Sequence, residues 1–493
     1  MSQHSKLHGS VSSAHPLATE VGLAILQQGG NAFDAAVATA AALNVVEPMM
    51  SGLGGYGTIL VYHAAEKWCR FLNASDRIPR GVNSDLFRAP TPDYKANRRG
   101  AKAISTPGNL RAWEALAEYG RFPFTTTLQP AIMLAQEGFP ISPQLAEAIR
   151  REFNDFPAHA QSFYGTNGQP LVAGETLRQL DLGQSLSLIA DEGVEVFYNG
   201  RLAHTIADTM AAMGSFLALE DLQKCQAEWW EPISIRYRDH EILTTPPPAT
   251  SFSALIRLGL MSQFDVATLA HNSPDYLHRF AEATKHAFWC RLKYAADPDH
   301  AQVPFETLLS PVYWAGVAAQ IDLERERPFT SPVPSSSPPA DGHTTHFVVA
   351  DADGNIVSAT QTIGQLFGSR IMPEGTGIWL NNSLQYCTFE PEGNPMDAHA
   401  GQRKLSGDCP IMIMRDGQPW AALGTPGGHT IPQTMPQIVM NLLDFGLDMA
   451  EAIAAPRISF GEPNWLLVDP TLPEETRKSL AAKGHRLKVY EDG

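Results

Sequence analysis

The sequence predicts an α+β protein with a large buried core. Hydrophobic residues make up 44% of the 493 residues and charged residues only 18%, which excludes wholesale disorder. Residues 107–320 have mostly helical apolar spacing, whereas β-rich runs joined by turns occur at residues 58–73 and 344–362. The chain therefore combines helical and strand-forming segments.

Two helices are predicted near the N-terminus. Residues 15–28 carry apolar side chains at helical spacing, and Gly29 and Gly30 end this helix. A second helix is predicted over residues 32–46. It contains an acidic residue and is shorter than the roughly 20 residues that a membrane span needs. We therefore expect it to be a buried helix.

A glycine cluster, SGLGGYG, follows at residues 51–57 and precedes a hairpin with strands at 58–63 and 68–73. Its spacing matches G-x-G-x-x-G, but a dinucleotide site needs those glycines between a strand and a following helix. Here the order is helix, glycines, strand. The cluster predicts a tight turn, and a nucleotide-dependent oxidoreductase is disfavoured.

A linker is predicted at residues 327–343, because five of these 17 residues are proline and four are serine. Two β-rich runs follow at once, TTHFVVA at 344–350 and IVSATQT at 356–362. The segment DADGN joins them and signals a hairpin turn. Thr344 therefore begins a core strand directly after an exposed linker.

Four more elements are predicted towards the C-terminus. Residues 377–381 and 420–424 are expected to be strands. Residues 431–445 and 448–455 are expected to be helices.

The charge balance disfavours nucleic-acid and membrane-surface partners, because 36 basic residues face 52 acidic ones, for a net charge of −16. Five cysteines without a C-x-x-C pair exclude a disulfide framework and disfavour a cysteine zinc site. The first 22 residues contain no apolar signal-peptide core. We therefore expect a cytoplasmic protein.

His343 and His346 form an H-x-x-H pattern. On a strand this odd spacing puts the two side chains on opposite faces, so a shared metal ion is disfavoured. We predict neither a metal nor a cofactor.

Thr344 is the leading candidate for a nucleophile. A threonine hydroxyl can attack a carbonyl when a base lies beside it, and an N-terminal threonine carries that base as its own α-amine. A precursor reaches this state when the hydroxyl attacks the preceding carbonyl and the resulting ester is hydrolysed. The bond between His343 and Thr344 has the accessible linker and the rigid strand that this reaction requires. The alternative is an ordinary polar strand start.

The segment GTPGG at residues 424–428 follows an apolar strand. Adjacent glycines can aim two backbone N–H groups at one point, as an oxyanion hole requires. A simple Pro-Gly turn is the alternative.

These motifs, in this order, resemble the gamma-glutamyltransferase family of N-terminal-nucleophile hydrolases. The resemblance rests on HPLATEVGLAILQQGGNAFDAAVATAAALNVVEP, SGLGGYG, TTHFVVADADGN, GTPGGHTIPQ and AEAIAAPRI. It implies a four-layer αββα sandwich and a proenzyme that cleaves itself between His343 and Thr344. Residues 1–343 would form the large subunit and residues 344–493 the small subunit, within one structural domain.

The resemblance also implies residue roles. Thr344 matches the family's catalytic threonine, and Thr362 matches a second threonine that orients it. Gly427 and Gly428 match the oxyanion-hole glycines. The implied partners are a small-molecule amide and either water or an acceptor amine, and assembly of the mature protein into a homo-oligomer is left open.

The positions that recognise a γ-glutamyl group depart from the family pattern. Arg77, in SDRIP, lies two residues beyond the position of the carboxylate-binding arginine. Ser406 keeps one of two paired serines, since LSGDCP replaces P-L-S-S-x-x-P. Tyr386, after the L-N-N motif that ends at Asn382, replaces an acidic residue, and Gly364 replaces an asparagine.

An α-amino acid head group needs compensating charges in a dry pocket. The altered positions therefore leave two substrate classes open. Gamma-glutamyl amides such as glutathione follow from the family and are the first expected class. A non-glutamyl amide of a small acid, as in oxamate amidohydrolases and cephalosporin or glutaryl acylases, follows from the departures. Arg77, Arg370, Arg403 and Lys404 are the candidate cations for an acidic acyl group. An unprocessed binding protein on the same fold is the remaining alternative.

Overall fold

A computed structural model gives the fold of the chain. It describes residues 9–75, 77–333, 342–387, 389–395 and 397–490. Within these ranges, no helix has both the length and the apolar character needed to cross a membrane.

The helices have the following bounds: α1 Pro16–Gln27, α2 Ala32–Val46, α3 Asn109–Ala117, α4 Phe124–Glu137, α5 Pro143–Glu152, α6 Ala158–Tyr164, α7 Leu180–Glu192, α8 Glu195–Tyr198, α9 Arg201–Ala212, α10 Leu219–Gln223, α11 Phe252–Met261, α12 Pro274–Tyr294, α13 Phe305–Leu308, α14 Pro311–Ala318, α15 Ile431–Leu443, α16 Met449–Ala454 and α17 Glu474–Ala482.

The strands have the following bounds: β1 Gly9–Ser12, β2 Tyr56–His63, β3 Trp68–Ala74, β4 Phe139–Pro140, β5 Gly165–Thr166, β6 Gln169–Pro170, β7 Thr176–Leu177, β8 Glu228–Trp230, β9 Ile233–Tyr237, β10 His240–Thr244, β11 His343–Asp351, β12 Ile356–Gly364, β13 Ile411–Arg415, β14 Gln418–Leu423, β15 Ile458–Gly461, β16 Trp465–Val468 and β17 Arg486–Val489.

The described residues form two compact units. The first unit draws on Met1–Glu231, Asp341–Phe389 and Ala398–Lys404. The second unit draws on Pro232–Ala340, Glu390–Asp397 and Leu405–Gly493.

The first unit is built on an antiparallel sheet with the strand order β1-β11-β12-β2-β3-β8. Helix α2 packs on β11 and β12, and α1 and α4 pack against α2. Every residue of α2 is buried, which explains its nearly unbroken apolar and alanine-rich sequence. Asn31 and Asp34 form a capping box that starts this helix.

The β11–β12 hairpin places the predicted threonines. His343 pairs with Gly364 and Thr345 pairs with Gln361, so the register shifts between these two pairs. On the other side of β12, Thr362 pairs with Tyr56 of β2. Residues directly opposite in an antiparallel pair share a face of the sheet, so Tyr56 and Thr362 lie on one face.

The second unit contains a four-stranded sheet, β14-β13-β10-β9, and a smaller sheet, β15-β16-β17. Helix α11 packs against α12, α14 and α15, and it also contacts β9. A separate hydrophobic cluster fills this unit.

Most predicted elements are confirmed, including the two N-terminal helices, the glycine turn between α2 and β2, and the β11–β12 hairpin. The α+β class is confirmed as well. The strand predicted at residues 377–381 is wrong, because only one bridge, between Gly54 and Leu380, forms there. Within the predicted linker, residues 334–341 lie outside the described residues. The division after His343 falls inside β11 and stays a prediction.

Candidate active site

Four groups meet at the start of β11. The Thr344 hydroxyl donates a hydrogen bond to Thr362 Oγ1 over 3.2 Å. The Thr362 hydroxyl donates in turn to the carbonyl oxygen of His343 over 2.7 Å. The backbone N–H of Gly364 donates to Thr362 Oγ1 over 2.9 Å. Thr362 therefore links the Thr344 hydroxyl to the carbonyl of the peptide bond that precedes it, and the structure brings the two threonines into contact.

The hydroxyl of the next residue, Thr345, has a different partner. Thr345 donates a hydrogen bond to Glu47 Oε2 over 3.0 Å, at the end of α2. Glu47 is only 4% exposed, and burial raises the pKa of its carboxyl, although the Thr345 hydrogen bond opposes that shift. Consecutive strand residues face opposite sides of a sheet, so Thr345 faces away from Thr344. Its contact with Glu47 puts it on the side that α2 covers.

His346 lies on the same face as Thr344. Its Nδ1 is 2.9 Å from Thr360 Oγ1, and its Nε2 is 3.4 Å from the Ser358 hydroxyl. Burial lowers the pKa of His346 to about 3, so the ring is neutral at physiological pH. The ring nitrogens of His346 thus contact hydroxyl groups of β12.

One group of described side chains, in the second unit, has metal-ligand spacing: the buried residues His278, Glu282 and His485. Hydrogen bonds already engage these groups. His278 Nδ1 lies 2.8 Å from His485 Nε2, and His278 Nε2 lies 2.8 Å from the carbonyl oxygen of Asp322. Lys285 donates to Glu282 over 3.0 Å. The arrangement fits a buried hydrogen-bond network.

The GTPGG glycines lie in the second unit. Gly427 has φ 132° and Gly428 has φ 56°, both in the region that side-chain-bearing residues avoid. Gly407 packs against this turn, and a Cβ added there would lie 2.4 Å from the Gly428 carbonyl oxygen. The turn itself thus fills the space in which the side chain of the family's second serine would lie at position 407.

A buried arginine supports the residue that follows this turn. Arg291 of α12 lies with Nη2 3.0 Å from Nδ1 of His429, directly after Gly428. Burial lowers the pKa of His429 well below its usual value and that of Arg291 to about 10. A neutral imidazole can accept from the guanidinium, so this contact ties the turn to α12.

Arg77 and Arg403 share one carboxylate in the first unit. Arg403 binds Glu228 through two nitrogens, at 2.9 and 3.0 Å. Arg77 Nη2 donates to Glu228 Oε1 over 3.2 Å, and its Nη1 donates to the Gly401 carbonyl over 3.1 Å. The structure thus brings together two residues that the sequence proposed for substrate binding.

The predicted cation Arg370 forms ion pairs with Glu152 and Asp155. Asn382 uses its amide to hold the turn after β12: its Oδ1 accepts from the N–H of Gln365 over 2.9 Å. A Cβ added at Gly364, where φ is 101°, would lie 2.1 Å from that same Oδ1. Asn382 therefore fills the space in which a side chain at position 364 would begin.

The buried hydroxyls of Ser406 and Thr250, both in the second unit, have no hydrogen-bond partner among the described residues. The N–H of Thr250 donates to the Ser406 carbonyl over 3.0 Å, so the two residues are neighbours. A buried hydroxyl without a partner is costly, which makes this pair a candidate for contact with a ligand. The predicted substrate residue Tyr386 is buried, at the end of a short 3₁₀ turn.

Sequence reasoning missed Glu47, Glu228, Thr250 and Arg291. Their partners lie far away along the chain, for example 298 positions between Glu47 and Thr345. The acidic residue directly before Pro48 at the end of an apolar helix was a usable signal for Glu47. No local pattern marks the other three.

Comparisons with known proteins identify the family of the chain. The sequence matches the model of the family described as Gamma-glutamyltranspeptidase over residues 18–493. The Acylase ACY 1 proenzyme of Pseudomonas sp. strain V22 is 37% identical over 493 residues, which are 97% of this chain and 87% of that protein. The Glutathione hydrolase proenzyme of Escherichia coli K12 is 34% identical over 502 residues, covering 98% of this chain and 86% of that protein.

Solved structures of similar proteins indicate the same family. The cephalosporin acylase from Bacillus halodurans superposes with a TM-score of 0.89 at 32% identity, over 99% of this chain and 90% of that one. The Helicobacter pylori gamma-glutamyltranspeptidase superposes with a TM-score of 0.61 at 30% identity, over 65% of this chain and 94% of that one. The fold is therefore that of the N-terminal-nucleophile hydrolases, and the chain belongs to the gamma-glutamyltranspeptidase family of hydrolases.

Proposed function

We propose that this protein is a self-processing threonine amidohydrolase that acts through an acyl-enzyme on Thr344. One observation carries the proposal: the Thr344 hydroxyl contacts Thr362, whose own hydroxyl donates to the His343 carbonyl. A nucleophile, a group that orients it and a polarised carbonyl thus stand together at one peptide bond.

Maturation follows from this contact. Thr344 Oγ1 attacks the His343 carbonyl carbon, and the hydrogen bond from Thr362 stabilises charge on the carbonyl oxygen. The C–N bond breaks, its nitrogen takes a proton, and His343 is left as an ester on Thr344. Water hydrolyses the ester, which leaves a His343 carboxylate and a free α-amine on Thr344.

Turnover repeats the same chemistry on an external amide. The α-amine of Thr344 takes the hydroxyl proton as Oγ1 attacks the substrate carbonyl, and the proton then passes to the departing amine. Water, or an acceptor amine, resolves the acyl-enzyme. Gly427 and Gly428 are proposed to donate their N–H groups to the oxyanion, a role in which one donor is typically worth about 10²–10³ in rate.

We further propose that the acyl group is not γ-glutamyl. The positions at which the glutathione-cleaving pattern has an asparagine and a second serine are Gly364 and Gly407, and other groups fill the space beside both. Tyr386 replaces the acidic partner of the α-amino group. The similarity to the Pseudomonas acylase and to the Bacillus halodurans cephalosporin acylase supports this class.

Gamma-glutamyl amides remain the second candidate. Arg77 and Arg403 supply cationic groups, and the buried Ser406 hydroxyl lacks a partner among the described residues. The Escherichia coli glutathione hydrolase is 34% identical.

Two measurements on the purified wild-type protein test the proposal. Intact mass under denaturing conditions should show two fragments, and N-terminal sequencing of the smaller one should begin at Thr344. A panel of glutaryl, pentanoyl and γ-glutamyl p-nitroanilides then ranks the acyl groups by kcat/KM. We expect the glutaryl amide to exceed the γ-glutamyl amide. A γ-glutamyl preference would support the second candidate, and an uncut chain without amidase activity would contradict the proposed function.

A further inference from the structure

We propose that Arg257 and Arg291 bind a small monovalent anion, of the size of chloride, inside the second unit. Both residues belong to that unit, Arg257 in α11 and Arg291 in α12. Such a site is independent of the proposed amidase chemistry, because it depends only on how the two guanidinium groups are buried and which of their donors have partners.

Both guanidinium groups are removed from water without an acidic partner. Arg257 is 1% exposed and Arg291 is 6% exposed. No carboxylate of the described residues forms an ion pair with either group, and Glu462 acts on Arg291 only through space. Burying a charge without a partner is strongly unfavourable, so two such charges in one unit require an explanation.

Each guanidinium also keeps a buried donor, its Nε–H, that has no hydrogen-bond partner among the described residues. Arg257 uses Nη1 for the carbonyl and hydroxyl oxygens of Ser253, at 2.8 and 2.9 Å, and for the Pro432 carbonyl, at 3.3 Å. Arg291 uses Nη2 for the His429 ring, at 3.0 Å. These partners are neutral, so they occupy donors and leave both positive charges uncompensated.

The contact with Pro432 has a structural reason that does not account for the charge. The Pro432 carbonyl lies four positions before Pro436, which lies inside α15 and has no N–H to donate to it. Arg257 supplies the missing donor. A neutral amide could donate the same hydrogen bond, so the positive charge of Arg257 is left to be explained.

The two side chains approach each other near the beginning of α15. Arg291 contacts His429 in the 3₁₀ turn before this helix, and Arg257 contacts Pro432 in its first turn. Helix α11 packs against both α12 and α15. Burial lowers the pKa of Arg257 to about 9, and the charge of Arg291 adds to that shift. The two charges are thus within electrostatic reach of each other.

A small anion is the ligand that these surroundings favour. The N-terminal end of α15 carries no acidic residue in its first turn and no side-chain cap, so it too attracts negative charge. Two nearby thiols do not supply that charge, because burial raises the pKa of Cys409 to about 12 and that of Cys290 to about 11. A single ion can accept charge-assisted hydrogen bonds from both Nε–H groups, and the burial of both side chains favours it over an organic acid.

Thermal unfolding tests this site in solution. The melting temperature of the wild-type protein should be higher in sodium chloride than in sodium gluconate of equal ionic strength, by on the order of 3 °C at a hundredfold excess over Kd. This increment should disappear in Arg257→Met. Arg236→Met, at an exposed arginine of the same unit, is the matched control and should keep it. No increment in the wild type, or an equal increment in Arg257→Met, would overturn the assignment.

A measurement on the wild-type protein covers the case in which Arg257→Met does not fold. Bromide resembles chloride in charge and size and scatters X-rays anomalously. Crystals soaked in sodium bromide should therefore show an anomalous peak within hydrogen-bond distance of the Nε atoms of Arg257 and Arg291. Bromide at the protein surface alone would overturn the proposal. Failure of the proposed amidase function would change neither result, because neither depends on cleavage of the chain or of a substrate.

Discussion

Thr344 and Thr345 are consecutive buried residues with identical side chains, yet their hydroxyl groups have different hydrogen-bond partners. Thr344 contacts Thr362, and through it the His343 carbonyl. Thr345 donates to the buried carboxyl of Glu47 on the side that α2 covers. The difference comes from strand alternation, and under the proposed function it separates the attacking hydroxyl from a structural one.

The largest expected effect on self-cleavage is the contrast between separate substitutions of the two threonines. Thr344→Ala removes the attacking oxygen, so we expect an uncut chain and no amidase activity. Thr345→Val keeps the shape of the side chain and removes only its hydrogen bond to Glu47, so we expect cleavage to be retained. Denaturing intact mass of both variants, followed over days, measures the contrast. Two fragments from Thr344→Ala would contradict the assignment of the nucleophile.

Thr362 and Thr360 allow the same comparison one strand away. Thr362→Val removes the hydroxyl that links Thr344 to the His343 carbonyl, and we expect cleavage and kcat to fall by about 10²-fold or more. Thr360→Val removes a hydroxyl that contacts His346 over 2.9 Å and leaves the Thr362 bonds in place. Cleavage half-lives from a time course of mass spectra separate the two variants. Equal effects would mean that Thr362 acts through packing alone.

The sequence predicts the contact between the two threonines better than the contacts of the proposed substrate-binding residues. The runs TTHFVVA and IVSATQT with their turn specify a hairpin, and the hairpin brings Thr344 to Thr362. By contrast, Arg77 and Glu228 are 151 positions apart, and only the folded chain reveals that they meet. The space beside Gly407 likewise depends on the turn at Gly428. Local patterns thus predict contacts within a hairpin, whereas distant contacts depend on the packing of whole elements.

A residue on the Thr344 side of the hairpin, His346, should also make the free energy of unfolding depend on pH in acid. His346 has a pKa of about 3 when folded, against about 6.5 in an unfolded chain. The folded-state pKa is depressed, so the contribution is present above pH 6.5 and is lost as the pH falls towards 3. One such group contributes a slope of about 1.4 kcal/mol per pH unit in that window.

His346→Asn removes this titration and keeps a nitrogen or oxygen near Thr360. The free energy of unfolding of the variant, measured in urea at pH 7, 6 and 5, should therefore fall less steeply than that of the wild type. The exposed residue His300 provides the control, and His300→Asn should follow the wild-type slope. Parallel curves for His346→Asn and the wild type would show that the ring titrates alike in the folded and the unfolded protein.

The smallest effect is expected on the opposite face, at Glu47. Burial raises the pKa of its carboxyl, so its charged form is disfavoured in the fold. With a raised folded-state pKa, stability is greatest below the ordinary value of a glutamate and is lost as the pH rises through the folded pKa. Glu47→Gln keeps an oxygen for the Thr345 hydroxyl and carries no charge.

The melting temperature of Glu47→Gln, relative to the wild type, should therefore rise between pH 4 and pH 8. The exposed Glu118→Gln should show no such trend. Self-cleavage should persist in Glu47→Gln, because the carboxyl holds Thr345 and not the hydroxyl of Thr344. If cleavage stopped while the protein stayed folded, the α2 side would take part in the chemistry, and the two faces of the hairpin would no longer have separate roles.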